Sequence, residues 1–181
     1  MNLELQQWYF EALAKSFSIN DCAQEAIDQA RINAENHHID VVFDSNCTAL
    51  INGDRHQITM AIHNLIENAI NYSPEGTRVA ITIRDAGEIC EVSISDQGIG
   101  ISEKDLERIF ERFYRVDPAR SRLTGGTGLG LSIVKHIITN HGGDVSVWSK
   151  EGAGSTFTIR IPHVPANNSA EIASPSEGNN T

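Results

Sequence analysis

Residues 125–135 read GGTGLGLSIVK, four glycines within six positions followed at once by an apolar helical pattern. A glycine-rich loop that opens a helix aims backbone N–H groups and the positive end of the helix dipole at one point, which suits an anion. A plain loop with a capped helix accounts for the same residues. Two better-defined phosphate loops are excluded. The spacing approaches G-x-x-x-x-G-K-[ST], but Leu131 stands where the lysine is needed and brings no charge to a phosphate. The dinucleotide pattern G-x-G-x-x-G is one residue short, and no strand directly precedes it.

Three other stretches carry polar groups at usable spacing. In HNLIENAINYS (His63–Ser73), Asn64 and Asn68 are four apart and share one helix face, while Ile62, Leu65, Ile66 and Ala69 point to the core. Two stacked amides can offer oxygens to a hard cation such as Mg²⁺, which takes one or two protein ligands, waters and phosphate oxygens. A solvated polar face is the alternative. In SDQGIGI (Ser95–Ile101), Asp96 at a strand end can accept a hydrogen bond from a ligand amino group, and the two glycines let the backbone come close. A tight turn capped by Asp96 is the alternative. FERFYRVD (Phe110–Asp117) sets aromatics and arginines directly before the glycine-rich loop. Phe110 and Phe113 fit a helix end packed into the core, and Arg115 fits a phosphate.

These groups need elements to hold them. Residues 1–17 read as helical. Ser18 or Asn20 caps a helix over INDCAQEAIDQARINAENHH, with Ile19, Ala23, Ala26, Ile27, Ala30 and Ala34 at helical spacing. IDVVFD (Ile39–Asp44) and CTALING (Cys47–Gly53) read as short strands, and Asp54 caps a strong helix running to Tyr72. SPEG (Ser73–Gly76) is turn chemistry. Residues 77–98 alternate with period two around Ala86-Gly87, a hairpin. Two short helical pieces near 102–113 precede a polar loop over 114–130. The next helix, starting at Leu129, is stopped by Gly142 and Gly143, and a closing hairpin ends at Pro162. The tail, 163–181, is rich in Asn, Ser, Pro and Glu and reads as disordered. Strands that follow one another late in the chain predict an α+β fold, with helices on one face of a mixed, mostly antiparallel sheet.

The 181 residues suffice for one ordinary domain. A formal net charge of −10 argues against a nucleic-acid backbone as partner, although a site can be locally positive on an acidic protein. No apolar run approaches the roughly 20 residues that span a bilayer. The N-terminus lacks the basic start and small-residue cleavage site of a signal peptide. Cys22, Cys47 and Cys90 are odd in number and have no metal-type spacing, which points to reduced thiols and a cytoplasmic location.

Taken in order, NLIENAINYS, DQGIGI, FERFYR, GGTGLGLSIVK and GAGSTFTI resemble the N, G1, F and G2 boxes and the following glycine motif of the ATP-binding catalytic domain of bacterial sensor histidine kinases. That family belongs to the wider superfamily of topoisomerase, chaperone and mismatch-repair ATPases. The resemblance covers about residues 18–162. It implies a two-layer α/β sandwich of the Bergerat type, with residues 1–17 as the end of a dimerisation helix and its linker.

The resemblance implies roles residue by residue. Asn68 holds Mg²⁺, with Asn64 its partner one turn earlier. Tyr72 stacks on adenine, and Asp96 accepts the adenine amino group in a pocket shaped by Gly98, Ile99 and Gly100. Tyr114 and Arg115 belong to the nucleotide site, and Arg115 reaches the terminal phosphate. Gly126, Thr127, Gly128, Leu129, Gly130 and Leu131 hold the triphosphate, and Thr156 joins them from the last hairpin. Residues 115–125 are the mobile lid. Asn71 stands where the family usually has a lysine or arginine for phosphate contact, so phosphate affinity is weakened unless Arg115, Arg120 and Arg122 compensate. Asn64 stands where an ATP-hydrolysing clamp has a glutamate, which speaks against that branch. The F box speaks against an anti-sigma serine kinase.

The family's acceptor histidine is followed by an acidic residue and soon by a proline, and none of the seven histidines here has that setting. The expected function is therefore transfer of the γ-phosphoryl of Mg-ATP to a histidine outside this sequence, on a dimerisation and phosphotransfer segment, for relay to a response regulator. A nucleotide-binding signalling module without transfer is the alternative. Any membrane link belongs to upstream regions.

Overall fold

The computed structural model describes residues 3–4, 6–7, 15–119 and 126–164. Arg120, Arg122, Gly125, most of the expected leading helix and the tail from residue 165 lie outside the described residues. Ser18 ends a short strand, β1 (Ser16–Ser18), and caps helix α1 (Ile19–Asn36) by accepting from the Asp21 backbone N–H at 3.4 Å. Strand β2 (Asp40–Ser45) and short strand β3 (Leu50–Asn52) follow. Asp54 then caps α2 (Arg55–Asn71), accepting from the Gln57 backbone N–H at 3.1 Å. The hairpin is β4 (Arg78–Asp85) and β5 (Ile89–Ser95), and α3 (Glu103–Leu106) comes after it. The glycine-rich loop opens α4 (Gly130–Asn140), and β6 (Asp144–Lys150) and β7 (Gly154–Pro162) close the chain.

The main sheet has the order β2-β4-β5-β7-β6. Only β2 and β4 run parallel; the other neighbours are antiparallel. Parallel neighbours cannot be joined by a tight turn, and here the crossover carries β3 and α2. Alternation puts Val79, Ile81 and Ile83 of β4, and Cys90, Val92 and Ile94 of β5, on one buried face. That face meets Ile58, Ile62, Leu65, Ile66 and Ile70 of α2, and Val134 and Ile138 of α4, in a single core. Ala23, Ala26, Ala30 and Ala34 of α1 are buried, so this helix packs closely against α2. The opposite sheet face is polar, with Ser93 Oγ 3.0 Å from Thr158 Oγ1 and Ser95 Oγ 2.8 Å from Thr156 Oγ1.

The predicted α+β class and one-sided helices hold. Three local expectations do not. Ser16 and Phe17 are not helical: they pair with Asn52 and Ile51 in a separate two-stranded sheet. Of the second expected strand only Leu50–Asn52 forms, because its partner is the three-residue β1 and not the main sheet. From 107 to 113 the chain runs through turns and a bend rather than a second helix.

His141 is a structural link rather than a bare helix end. Its Nε2 accepts the Asp54 backbone N–H at 3.0 Å, and its Nδ1 lies 2.8 Å from Ile137 O, so the proton resides on Nδ1. All three cysteines are free and buried. Cys47 and Cys90 Sγ lie 3.5 Å apart, and burial pushes the Cys90 thiol well above its ordinary value. No helix among the described residues is long and apolar enough to cross a membrane.

The two caps differ in geometry, and their removal should differ in cost. Asp54→Ala should lower stability by about 1 kcal/mol, a typical capping contribution. Ser18→Ala, whose bond is longer, should cost less. Urea unfolding of both variants measures this, and an equal or reversed order would contradict the geometry.

Candidate functional site: a cavity between the second helix and the glycine-rich loop

Asp96 lies one residue beyond β5, on the same side as Ile94, so its carboxylate turns toward the helices. Its Oδ1 accepts two backbone N–H groups, from Gly98 at 2.8 Å and from Ser155 at 3.2 Å. Among the described residues Oδ2 takes no hydrogen bond, so one acceptor stays available. The following turn is braced from the last hairpin: Gly152 N–H donates to Ile99 O at 2.8 Å, and Ile101 N–H to Ser149 Oγ at 2.8 Å. Gly98 lies where a side chain has no room, since a β-carbon would sit 2.5 Å from Tyr72 O. Gly100 has φ +72°, and its β-carbon would sit 2.1 Å from Lys150 O. Both glycines are thus required by close backbone approach.

The amide face of α2 forms the adjoining wall. Asn68, Asn71 and Tyr72 border a cavity of about 320 Å³, together with Asp96, Ile99 and Gly100. Asn64, one turn earlier, does not line it.

Tyr114 and Arg115 close a third side, and Gly126, Thr127, Gly128, Gly130 and Leu131 the fourth. Tyr114 is anchored by donating to Asp105 Oδ1 at 2.5 Å, while Ser102 donates to Asp105 Oδ2 at 2.5 Å. These two hydroxyls hold the Asp105 carboxyl below its ordinary value, and the same bond raises the Tyr114 phenol. The Arg108 guanidinium lies 4.3 Å from the Tyr114 ring centre, a cation–π contact. Phe113 N–H donates to Gly128 O at 2.9 Å, and the Arg115 guanidinium donates to Gly126 O, so the two ends of the intervening segment are pinned together. Among the described residues no side chain caps the N-terminus of α4, which leaves its first backbone N–H groups suited to an anion.

Several sequence expectations are revised. Phe110 packs at the core edge, 6.2 Å edge-to-face from Phe157, but Phe113 is 70% exposed with φ +64°. Its backbone is committed to Gly128 and its ring turns outward. Thr156 does not line the cavity: its side chain is on the outer sheet face against Ser95, and Ser155 and Phe157 reach inward instead. Leu129 and Gly98 also lie outside the lining; Leu129 is the residue preceding α4, and Gly98 packs between Tyr72 and Asp96. Sequence reasoning missed Ile101, Ile109, Val116 and Asp117, which complete the lining. The alternating apolar residues Phe157, Ile159 and Ile161 are the sequence signal that favours Ser155 over Thr156; the others carry no distinctive pattern.

Residues 53–165 match the family described as histidine kinase-, DNA gyrase B- and HSP90-like ATPases. The chain belongs to this ATPase family. It is 48% identical over 147 residues to the sensor-like histidine kinase SenX3 of Mycolicibacterium smegmatis, covering 81% of this chain and 38% of that protein. It is 48% identical over 112 residues to the sensor histidine kinase WalK of Bacillus subtilis, covering 61% of this chain and 18% of that protein. The chain therefore spans well under half the length of these relatives. Among solved structures, the mycobacterial sensor histidine kinase MprB superposes with TM-score 0.72 at 27% identity, covering 83% of this chain and 97% of that one. The catalytic domain of histidine kinase ThkA, in a nucleotide-free form, gives TM-score 0.71 at 30% identity, covering 81% and 93%. The fold is that of histidine kinase catalytic domains.

Burial is the largest influence on Asp96 and pushes its carboxyl up, against the lowering effect of the Gly98 and Ser155 N–H groups. A carboxylate raised in the folded state costs stability as pH climbs from its ordinary value toward the folded one. Below both values it is protonated in either state and the cost vanishes. Asp96→Asn keeps an oxygen for both backbone donors but carries no charge. The unligated variant should therefore melt above wild type at neutral pH, with the gap closing in acid. Melting curves from about pH 3 to pH 8 read this directly; a variant that melts lower at neutral pH would contradict it.

Proposed function

We propose that this domain binds Mg-ATP and catalyses transfer of the γ-phosphoryl to a histidine on another segment or chain, for relay to a response regulator. Support comes from one cavity that joins an open carboxylate oxygen, a row of amides and an uncapped helix N-terminus. Each matches a different part of a nucleoside triphosphate. Asp96 Oδ2 suits the exocyclic amino group of adenine, with Tyr72 and Ile99 against the ring. The N–H groups at the start of α4, with Gly126, Thr127 and Gly128, suit the phosphates. Leu131 and Leu129 fix this helix start by packing and by the Leu129 backbone bond from N–H to Thr127 Oγ1 at 3.3 Å.

Asn68 is the Mg²⁺ ligand in this reading. The Asn68 amide at the cavity wall suits an ion that otherwise takes waters and phosphate oxygens. Mg²⁺, when bound, neutralises charge on the phosphate oxygens. Phosphoryl transfer depends mainly on positioning and electrostatic stabilisation, and the residues here do that. Arg115 is the only lysine or arginine among the described lining residues, and it offsets charge on the γ-phosphoryl. Asn64 extends the polar face one turn beyond the cavity. The acceptor imidazole is its own nucleophile, so the domain needs none. The domain acts in the cytoplasm, where ATP is held, and the acceptor belongs to a dimerisation segment of the same or a partner kinase.

Incubation with labelled ATP and a supplied two-helix acceptor segment tests transfer. Labelling should appear on the acceptor histidine and disappear in Asn68→Ala, with at least a hundredfold loss, on the order expected when an electrostatic stabiliser of the transition state is removed. Nucleotide binding without labelling of any sensor-kinase acceptor would favour a signalling module without transfer. Undiminished labelling by Asn68→Ala would overturn the metal assignment.

A further inference from the structure

Asn71 occupies the junction of two polar rows on α2. His63 and Glu67 run along the side facing α1; Asn64 and Asn68 run along the side facing the cavity. Asn71 belongs to both, bordering the cavity while touching α1. The contact from α1 is Asn33. Its Nδ2 donates to Glu67 Oε2 at 2.7 Å and to Asn71 Oδ1 at 3.2 Å, using both of its N–H bonds.

The direction of this relay is set at one end. An ionised carboxylate has no hydrogen to give, so Glu67 can face only the nitrogen of Asn33. With nitrogen on that side, Asn33 can in turn face only an acceptor, the oxygen of Asn71. The Asn71 amide is then fixed with its nitrogen on the remaining side. Among the described residues that nitrogen has no hydrogen-bond partner, and the residue lines the cavity. Glu67, two hydrogen bonds away, thereby sets which end of the Asn71 amide is left unbonded.

We infer that Asn33 is a positioning residue of the nucleotide site: it holds Asn71 so that the Asn71 amide N–H₂ faces the bound phosphate chain as a neutral donor. This rests on the nucleotide reading above. It replaces the cation expected at position 71 with an oriented dipole. A freely rotating asparagine must be turned by the phosphate itself, because oxygen facing a phosphate oxygen is repulsive, and that ordering costs affinity. Locking the amide removes that alternative.

Asn33→Asp tests the orientation, because a carboxylate at 33 has only acceptors and turns the Asn71 nitrogen toward itself. Asn33→Leu removes the relay without placing a second charge beside Glu67, and it guards against a variant that merely unfolds. ADP and adenosine are titrated calorimetrically against wild type, both variants, Asn71→Ala and the Asn33→Asp/Asn71→Ala double variant, with circular dichroism to confirm folding. Wild type should bind ADP more tightly than adenosine. Asn33→Asp should lower ADP affinity about tenfold, the scale of one hydrogen bond to a charged group, while adenosine affinity stays within about twofold. Asn33→Leu should lose less, and the double variant should lose no more than Asn71→Ala alone. Unchanged ADP affinity in folded Asn33 variants, equal losses for adenosine, or additive losses in the double variant would each overturn the relay while leaving the nucleotide site standing. Failure of wild type to bind either compound would overturn the nucleotide reading itself, and the relay with it.

Discussion

Asp96 Oδ1 holds two backbone N–H groups from opposite directions, Gly98 just after it and Ser155 across the sheet. That shared acceptor joins the end of β5, the glycine turn and the start of β7 at one atom. Asp96 N–H also donates to Ser155 O at 2.9 Å, so the junction is bonded in both directions. The consequences spread outward. The glycine turn is held against Tyr72, which ends α2 and brings its amide row to the cavity. The β6–β7 turn is held against Ile99 through Gly152. A buried carboxylate is costly, and here the two N–H bonds offset part of that cost while the unused oxygen leaves the rest unrelieved. The strain of burial and the capacity to bind a donor are the same feature.

Helix α2 and its neighbours were legible because their signals are local. Asp54 sits directly before an apolar pattern of period 3.6, and Ile62, Leu65, Ile66 and Ala69 are buried as that pattern requires. The β4–β5 hairpin was equally plain from its alternation around Ala86-Gly87. What failed depends on partners distant in sequence. Thr156 is the exception: the alternation of Phe157, Ile159 and Ile161 already sends Ser155 inward and Thr156 outward, where it meets Ser95. A one-residue difference reverses the face. Ser16–Ser18 became a strand only because Leu50–Asn52 offered an edge more than thirty positions away. The Asn33–Asn71 contact spans 38 positions, and nothing near Asn33 announces it.

Phe113 failed for a different reason. Its apolar side chain predicts burial, and the residue is exposed because its backbone is used for something else. A positive φ and the bond to Gly128 O place the chain so that Tyr114 and Arg115 turn into the cavity. Tyr114 is fixed to Asp105, which is itself fixed to Ser102 at the start of α3. The short helix thus acts as a footing. Its value lies in setting the direction in which Tyr114 and Arg115 face the cavity.

An acidic protein that receives a polyanion must find its positive potential locally. The net charge of −10 opposes a triphosphate at long range, and salt screening confines that opposition to within roughly 10 Å. Inside the cavity the described lining offers a single guanidinium, Arg115, beside the carboxylates of Asp96 and Asp117. Among the described lining, the other groups suited to an anion are dipoles: the start of α4, the loop N–H groups and the oriented amides of α2. Dipoles act only at close range and only when correctly turned, which shifts the burden from charge to orientation. That is why a helix start left uncapped, a glycine turn closed by backbone contacts and an amide held from behind occur around the same cavity. In such a site the residues that fix direction matter as much as those that touch the ligand.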